Sequence, residues 1–299
     1  MLVENLAVVP ETDGLVSMSE VTRVAAAAQK QVVRDMEPIW EIRCTVDAFA
    51  VLDDVPIGYW PVILSADVKD AAGIHLDRDG QPFALVEAGS SHPNWSLTAS
   101  HEILEMLVDP FGKRLVAGAP PPQAINDGAV GGLTRVQYLV EVCDPSEDEA
   151  YAYTVNDVLV SDFYTPNYFD PVKATGVRYS FRNEITGPRE VLPGGYVSFG
   201  DPETNHWFQV TWFDGGQQAS VVDLGVLAVG SGSLRAEIDR LTSKRRIKAQ
   251  TRLTAARAAA APPPQRAGLL TASGAGTRTI GPTSAKARQW RDAIKTFRK

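Results

Sequence analysis

The chain has 299 residues, 44% of them hydrophobic, two cysteines and a formal net charge of −7. That is enough apolar content for a sizeable core, but no run approaches the roughly 18 apolar residues a membrane span needs. The opening stretch MLVENLAVVPETDG has neither a basic segment nor a long apolar segment, so no secretory signal is expected. Two cysteines, Cys44 and Cys143, do not make a disulfide framework, and buried thiols in a reducing compartment are expected. The charge is unevenly spread. Residues 234–299 hold 16 Lys and Arg against three acids, or +13, whereas residues 1–233 hold 13 basic and 33 acidic residues, or −20. An acidic body with a basic tail suggests an interaction tail.

In chain order, SMSEVTRVAAAAQKQVVRDMEPIW predicts a helix capped by Ser17 or Ser19, with Pro38 beyond its end. CTVDAFAVL alternates and predicts a strand. GYWPVILSADV predicts a second, in which Pro61 points to an edge or a bend. LDRDGQ carries the Asp-Gly turn signal, and PFALVEA predicts a third strand. A helix over Ser96–Val108 follows, stopped by Asp109-Pro110-Phe111-Gly112. The order to that point is helix, three strands, helix. LVAGAPPPQAINDGAVGGLT is a Pro/Gly-rich loop. VQYLVEVCDP is a strongly apolar strand ending in acids. EDEAYAYTVNDVLVSDFYTPNYFDP mixes short strands with aromatic loop, VRYSFRNEITGPREVLPGGYVSF gives strand or hairpin pieces, and NHWFQVTWFDG another strand. SGSLRAEIDRLTSKRRIKAQTRLTAARAAAA predicts a long basic helix. A low-complexity linker and the short amphipathic piece AKARQWRDAIKTFRK complete the chain.

The stretch SLTASHEILEMLVDP carries the chemistry. At about 100° per residue, Glu105 lies about 40° from His101 on the helix wheel and Glu102 about 100° away. The i, i+4 pair can hold one ion from a single helix face, and Glu102 can reach a water on that ion. The zinc-peptidase pattern is H-E-x-x-H, and this helix reads H-E-x-x-E. A carboxylate in place of the second imidazole still suits Zn²⁺, while its charge also favours a harder ion such as Ca²⁺ or Mn²⁺. The competing reading is a solvated helix face that happens to carry a His and two Glu.

TASHEILEMLVDP, preceded by a helix and three strands, resembles the core of the zincin metallopeptidases. SHEILEMLVDPFG followed by EVCDPSED and VSDFYTPNYF resembles, more narrowly, H-E-x-x-E zincin-like proteins of bacteriophages and prophages. The resemblance spans about residues 18–215. It implies His101 as first metal ligand, Glu102 as general base and Glu105 in the place of the second ligand. A third ligand is required, and Glu141 and Asp144 at the end of a strand are the best placed, ahead of Asp162 and His92; the competing reading has Glu141 and Asp144 cap a loop or pair with a nearby Arg. His75 and His206 lack context and are expected to be structural. Asp109 is expected to hold a ligand imidazole or to end the helix. One of Tyr151, Tyr153, Tyr164 and Tyr168 would stabilise an oxyanion.

The expected architecture is an α+β, zincin-like acidic body over residues 1–225, with β-rich additions after residue 133. A basic helical and low-complexity arm follows over 226–299. Two functions lead: a zinc-dependent peptidase, or an inactive structural protein of a phage particle; a metal-stabilised module with no virion role is the third reading. The arm would dock on acidic protein, whether this body, a second copy or other virion subunits; contact with nucleic acid and an idle extension are the other readings. The compartment implied is bacterial cytoplasm or a virion. No G-x-S-x-G or Cys/His arrangement supports a nucleophilic triad.

Overall fold

A computed structural model describes residues 3–69, 71–128, 130–213, 218–227, 233–242 and 285–298. It is a mixed α+β protein built on two five-stranded sheets. β1 (Glu4–Pro10) is followed by α1 (Met18–Gln31), a π-helical turn over Val32–Met36, and α2 (Glu37–Trp40). Ser17 caps α1 in a full capping box with Glu20, satisfying two of the orphan N–H groups at the helix start. The helical path runs through Pro38 instead of ending before it. Pro38 falls in the first turn after the π segment, where a missing N–H is tolerated, and Glu41 at φ 56° ends the path.

β2 (Cys44–Ala48), β3 (Tyr59–Ser65), β4 (Gly73–Arg78) and β5 (Gln81–Glu87) complete the first sheet, in the order β2-β1-β3-β5-β4. Only β4 runs antiparallel to its neighbour. Its hairpin turns at Asp79-Gly80, both left-handed, as a two-residue turn requires. Four strands were not expected from the sequence: β1 and β4 here and, in the second sheet, Leu115–Gly118, expected as Pro/Gly-rich loop, and Ser220–Val226. β1 was read only as a terminus, and β4 was absorbed into its turn. Pro61 does not mark an edge, because β3 lies between β1 and β5. The β3–β5 ladder begins at Val62, so Pro61 stands just outside it.

Both faces of this sheet are covered, which explains the unbroken apolar runs LAVV, VIL and FALV. Leu6, Val8, Val62, Leu64, Ala84 and Val86 face α1 and α3 (Trp95–Val108). The alternate residues Ala7, Val9, Ile63 and Leu85 pack with Phe83 against the C-terminal helix.

The second sheet, all antiparallel, has the order β12-β11-β10-β7-β6. Its strands are β6 (Leu115–Gly118), β7 (Val136–Leu139), β10 (Tyr196–Gly200), β11 (His206–Thr211) and β12 (Ser220–Val226). Helix α4 (Pro122–Asp127) separates β6 from β7, and the hairpin of β8 (Tyr153–Val155) and β9 (Val158–Val160) follows β7. Val140, Val142 and Cys143, just past β7, join the core under α3.

The tail contributes two further helices. α5 covers residues 234–242, and α6 (Ala285–Phe297) lies on the outer face of the first sheet. The remainder of the expected basic helix and the low-complexity linker lie outside the described residues. Among the described residues, no helix is long and apolar enough to cross a membrane.

Candidate metal centre

Helix α3 is buried at Trp95 and at every position from Ala99 to Val108. The solvated-face reading of HEILE is therefore wrong: the helix lies between the first sheet and the segment after β7. A His and two Glu in such a place require partners, because an isolated buried charge costs several kcal/mol.

Those partners form one cluster centred on Glu105. His101 Nε2 lies 3.2 Å from Glu105 Oε1 and 3.3 Å from Asp144 Oδ1. The backbone N–H of Cys143 donates to Glu105 Oε1 at 3.2 Å, which ties the post-β7 segment to α3. On its other side, Glu105 Oε2 accepts from Arg235 Nη1 at 2.6 Å. The same Nη1 is 2.6 Å from Glu141 Oε2, and Arg235 Nη2 is 3.6 Å from Glu102 Oε2. His75, from the edge strand β4, completes this half. Its Nδ1 is 3.4 Å from Glu102 Oε2 and lies against Arg235 Nη1, and its Nε2 is 3.0 Å from the Asp109 carbonyl.

The electrostatics sort the carboxylates into two pairs. Burial opposes ionisation of Glu105, but His101 and Arg235 outweigh it and hold the group well below its ordinary range. Glu102 is also lowered, by Arg235 and His75 working against burial. Glu141 goes the other way: burial, with the charges of Glu105 and Asp144, holds it well above the usual carboxylate range. Burial and Glu105 likewise push Asp144 up to about 7. His101 is lowered by burial but raised more by Glu105 and Asp144, so it sits well above its ordinary value.

The donor set fits a metal ion. A charge-assisted N–H···O bond is about 2.7–2.9 Å long, shorter than both His101–carboxylate distances. With zinc bonds of about 2.0–2.1 Å, tetrahedral ligands stand about 3.4 Å apart; the two edges that start at His101 Nε2 are near this, at 3.2 and 3.3 Å, while His101, Glu105 and Asp144 are not one of the groups that close within 4.8 Å. Asp144 Oδ1 is also buried without a hydrogen-bond partner. The groups His101–Glu105–Cys143, His101–Asp144–Glu147, Glu105–Glu141–Asp144 and His75–Glu102–Glu105 each bring three ligand atoms within 4.8 Å of one another. Burial holds the Cys143 thiol well above its usual range, so imidazole and carboxylates are the readier donors.

Of the residues expected at the site, His101, Glu102, Glu105, Glu141 and Asp144 come together, with Glu141 turned to Arg235. Two others do not join the cluster. His92 pairs with Glu87 at 2.9 Å on a loop, and Asp162 accepts from the Arg182 N–H at 2.8 Å. Asp109 holds an imidazole through its carbonyl, while its carboxylate caps the turn at Arg114. Of the tyrosines, Tyr153 donates to Asp35 and Tyr168 to the Glu190 carbonyl. The Tyr164 hydroxyl is buried without a hydrogen-bond partner, and Glu141, Glu105 and Asp144 act on it. Cys44 and Cys143 are both free and buried.

Sequence reasoning missed His75 and Arg235. His75 lay in a strand that was not expected. Arg235 was one of 16 basic residues, with no local feature to single it out. Its docking rests on Gly112, which is left-handed and meets α5 at close range. Arg235 N–H donates to the Gly112 carbonyl at 2.9 Å, and a Cβ on Gly112 would lie 2.4 Å from Ser233 Oγ.

Comparison with known proteins adds no relative: no family model, curated protein or solved structure matches the chain.

Proposed function

We propose that this is a zincin-like metal-binding protein whose α3 holds one divalent ion through His101, Glu105 and Asp144. The observation that carries the reading is His101 Nε2 set 3.2 and 3.3 Å from two buried carboxylate oxygens, one of them without a hydrogen-bond partner. Zn²⁺ suits this mixed N/O set; Mn²⁺ is the second choice. Ca²⁺ fits poorly, since it takes 6–8 oxygen ligands. In the closed arrangement the ion is structural, because His101, at 9% exposure, is the most accessible of its three ligands. Three protein ligands leave the fourth tetrahedral position to a water or a further side chain of the cluster.

A second reading, a metallopeptidase, is favoured by Glu102. It lies against the edge strand β4, where a Cβ on Gly73 would be 2.8 Å from Glu102 Oε1. An extended substrate added to that edge would run beside this carboxylate. Glu102 would take the proton from the attacking water, and Tyr164 would donate to the developing oxyanion. The ion, when bound, would supply Lewis acidity and fixed positive charge. This reading requires α5 to withdraw.

The closed site equally supports an inactive structural protein, such as a part of a phage particle. The packing of α5 and α6 on the body favours protein docking over nucleic-acid binding for the arm, with neighbouring virion subunits as alternative acceptors.

The test is elemental mass spectrometry on purified wild type and the His101→Ala/Glu105→Ala double variant. Near-stoichiometric zinc or manganese in the wild type, lost in the variant, is the expected result. No metal in either overturns the reading. Where metal is bound, loss of peptide hydrolysis in Glu102→Gln with the metal retained would select the peptidase.

A further inference from the structure

Glu105 has two carboxylate oxygens, and each faces a cation. Oε1 faces His101 beside Asp144, and Oε2 faces the Arg235 guanidinium. On the Arg235 side, Glu105, Glu141, Glu102 and His75 converge on a position that the guanidinium fills. Every one of these side chains is more than nine-tenths buried. Glu102 Oε2 and both oxygens of Glu141 have no hydrogen-bond partner despite the guanidinium beside them. An arginine offers five donors in a flat fork, and here the fork approaches Glu141 Oε2 and Glu102 Oε2 as ion pairs at 2.6 and 3.6 Å without hydrogen-bond geometry, while Glu141 Oε1 has no hydrogen-bond partner.

We propose that Arg235 is the resident cation of a second divalent-metal position, which shares Glu105 with the first and is formed by Glu105, Glu141, Glu102 and His75. Helix α5 is then a removable occupant: with Arg235 in place the cluster takes one ion, and with Arg235 withdrawn it takes two. This deepens the metal-binding reading above, because the shared ligand is Glu105.

Charge balance supports the exchange. The guanidinium is the one cation that Glu105, Glu141 and Glu102 share, and a divalent ion entering in its place keeps a positive charge among these carboxylates. Geometry supports it too, since a carboxylate bridging two cations through separate oxygens is how paired metals share a ligand. Arginine cannot lose its proton within the protein, so acid or base does not empty this position. Only movement of α5 does. Besides the Arg235 ion pairs, α5 is seated by the Gly112 contact to Ser233 and Arg235 and by Leu234 and Ile238 on Leu139 and Trp207, none of which uses a metal-binding side chain.

The experiment measures zinc and manganese bound per chain by equilibrium dialysis and elemental mass spectrometry on the full chain. The samples are wild type, Arg235→Ala, Arg235→Lys and Arg235→Ala/Glu141→Gln, with thermal unfolding followed in parallel. Arg235→Ala is expected to bind about one more equivalent than wild type, and added metal is expected to restore most of its lost thermal stability. Arg235→Lys keeps a cation in place and is expected to match wild type. Adding Glu141→Gln is expected to abolish the gain. The proposal is overturned if Arg235→Ala folds and binds no more metal than wild type, or if the gain survives Glu141→Gln. It is equally overturned if Arg235→Ala stays unfolded with metal present. Failure of the first position reads differently: wild type would bind nothing, while Arg235→Ala would still gain one Glu141-dependent equivalent.

Discussion

Helix α6 meets the body through Ala287, Trp290, Ala293 and Ile294, laid on Ala7, Ile63, Phe83 and Leu85. Helix α5, from the same basic tail, also buries Leu234 and Ile238 against Leu139 and Trp207. Its most deeply placed polar group, however, is a guanidinium among carboxylates. The first contact is non-directional burial, which tolerates sliding and local release. The second is a desolvated charge network, in which removing one member leaves the others uncompensated. A tail can thus cover a sheet with little specificity at one end and lock a site with high specificity at the other.

The largest expected effect breaks that contrast at its charged end. Arg235→Met in metal-free protein should cost about 3–5 kcal/mol, the usual loss when one partner of a buried ion network is removed. Thermal unfolding in a chelator checks it. A loss under about 1 kcal/mol would mean that α5 is held by Leu234 and Ile238 instead. Trp290→Ala tests the apolar end. About 3 kcal/mol of packing is lost, but the expected outcome is local: faster amide exchange over residues 285–298 and unchanged metal content. If metal binding falls in step with α6 release, the two contacts are coupled through the sheet and the contrast fails.

The pH response sharpens the comparison further. A carboxyl raised in the folded state stabilises below its unfolded pKa and loses that contribution as pH rises through its folded value. Asp144, at about 7, and Asp162, at about 6, both behave this way. His101 acts in the same direction, stabilising while protonated. Metal-free protein should therefore lose several degrees of thermal stability between about pH 4.5 and 7.5, since 1 kcal/mol moves the Tm of a domain this size by about 2–4 °C. Below that range the depressed Glu102 and Glu105 reverse the trend, as their stabilisation is lost when they protonate. Bound metal should flatten the upper slope. Its binding at pH 6 should release about two protons, one each from His101 and Asp144, measurable by calorimetry in buffers of different ionisation enthalpy. Trp290→Ala should leave both signals intact.

These contrasts also bear on what could be read in advance. The α3 helix, its H-E-x-x-E face and the two acids after β7 were legible because local pattern and site coincide: i, i+4 spacing and a strand end aim side chains without help from the rest of the chain. β1 was not legible, because a short apolar run near a terminus has no alternation when both sheet faces are covered. Pro61 misled, since whether a strand is central depends on its neighbours. His75 and Arg235 reach the site through a hairpin and through a contact spanning 130 residues to Glu105, and no local period encodes either.

The smallest expected effect lies at the rim of α6, where two other tail arginines also meet acids. Arg291 Nη2 is 2.8 Å from Asp53 Oδ2, and Arg298 Nη2 is 2.7 Å from Glu11 Oε2. By distance these pairs match the Arg235 contacts, yet about a third of each arginine side chain is exposed, against 4% for Arg235. Water and salt already solvate the rim charges, so Arg291→Ala should cost about 0.5 kcal/mol and still less at high ionic strength. Arg235→Met should be almost insensitive to salt, because a Debye screen does not reach a buried pair. Unfolding of the two variants at 0.05 and 0.5 M salt compares them directly. Equal salt dependence would show that solvent reaches Arg235, and that α5 opens readily even before anything draws it away.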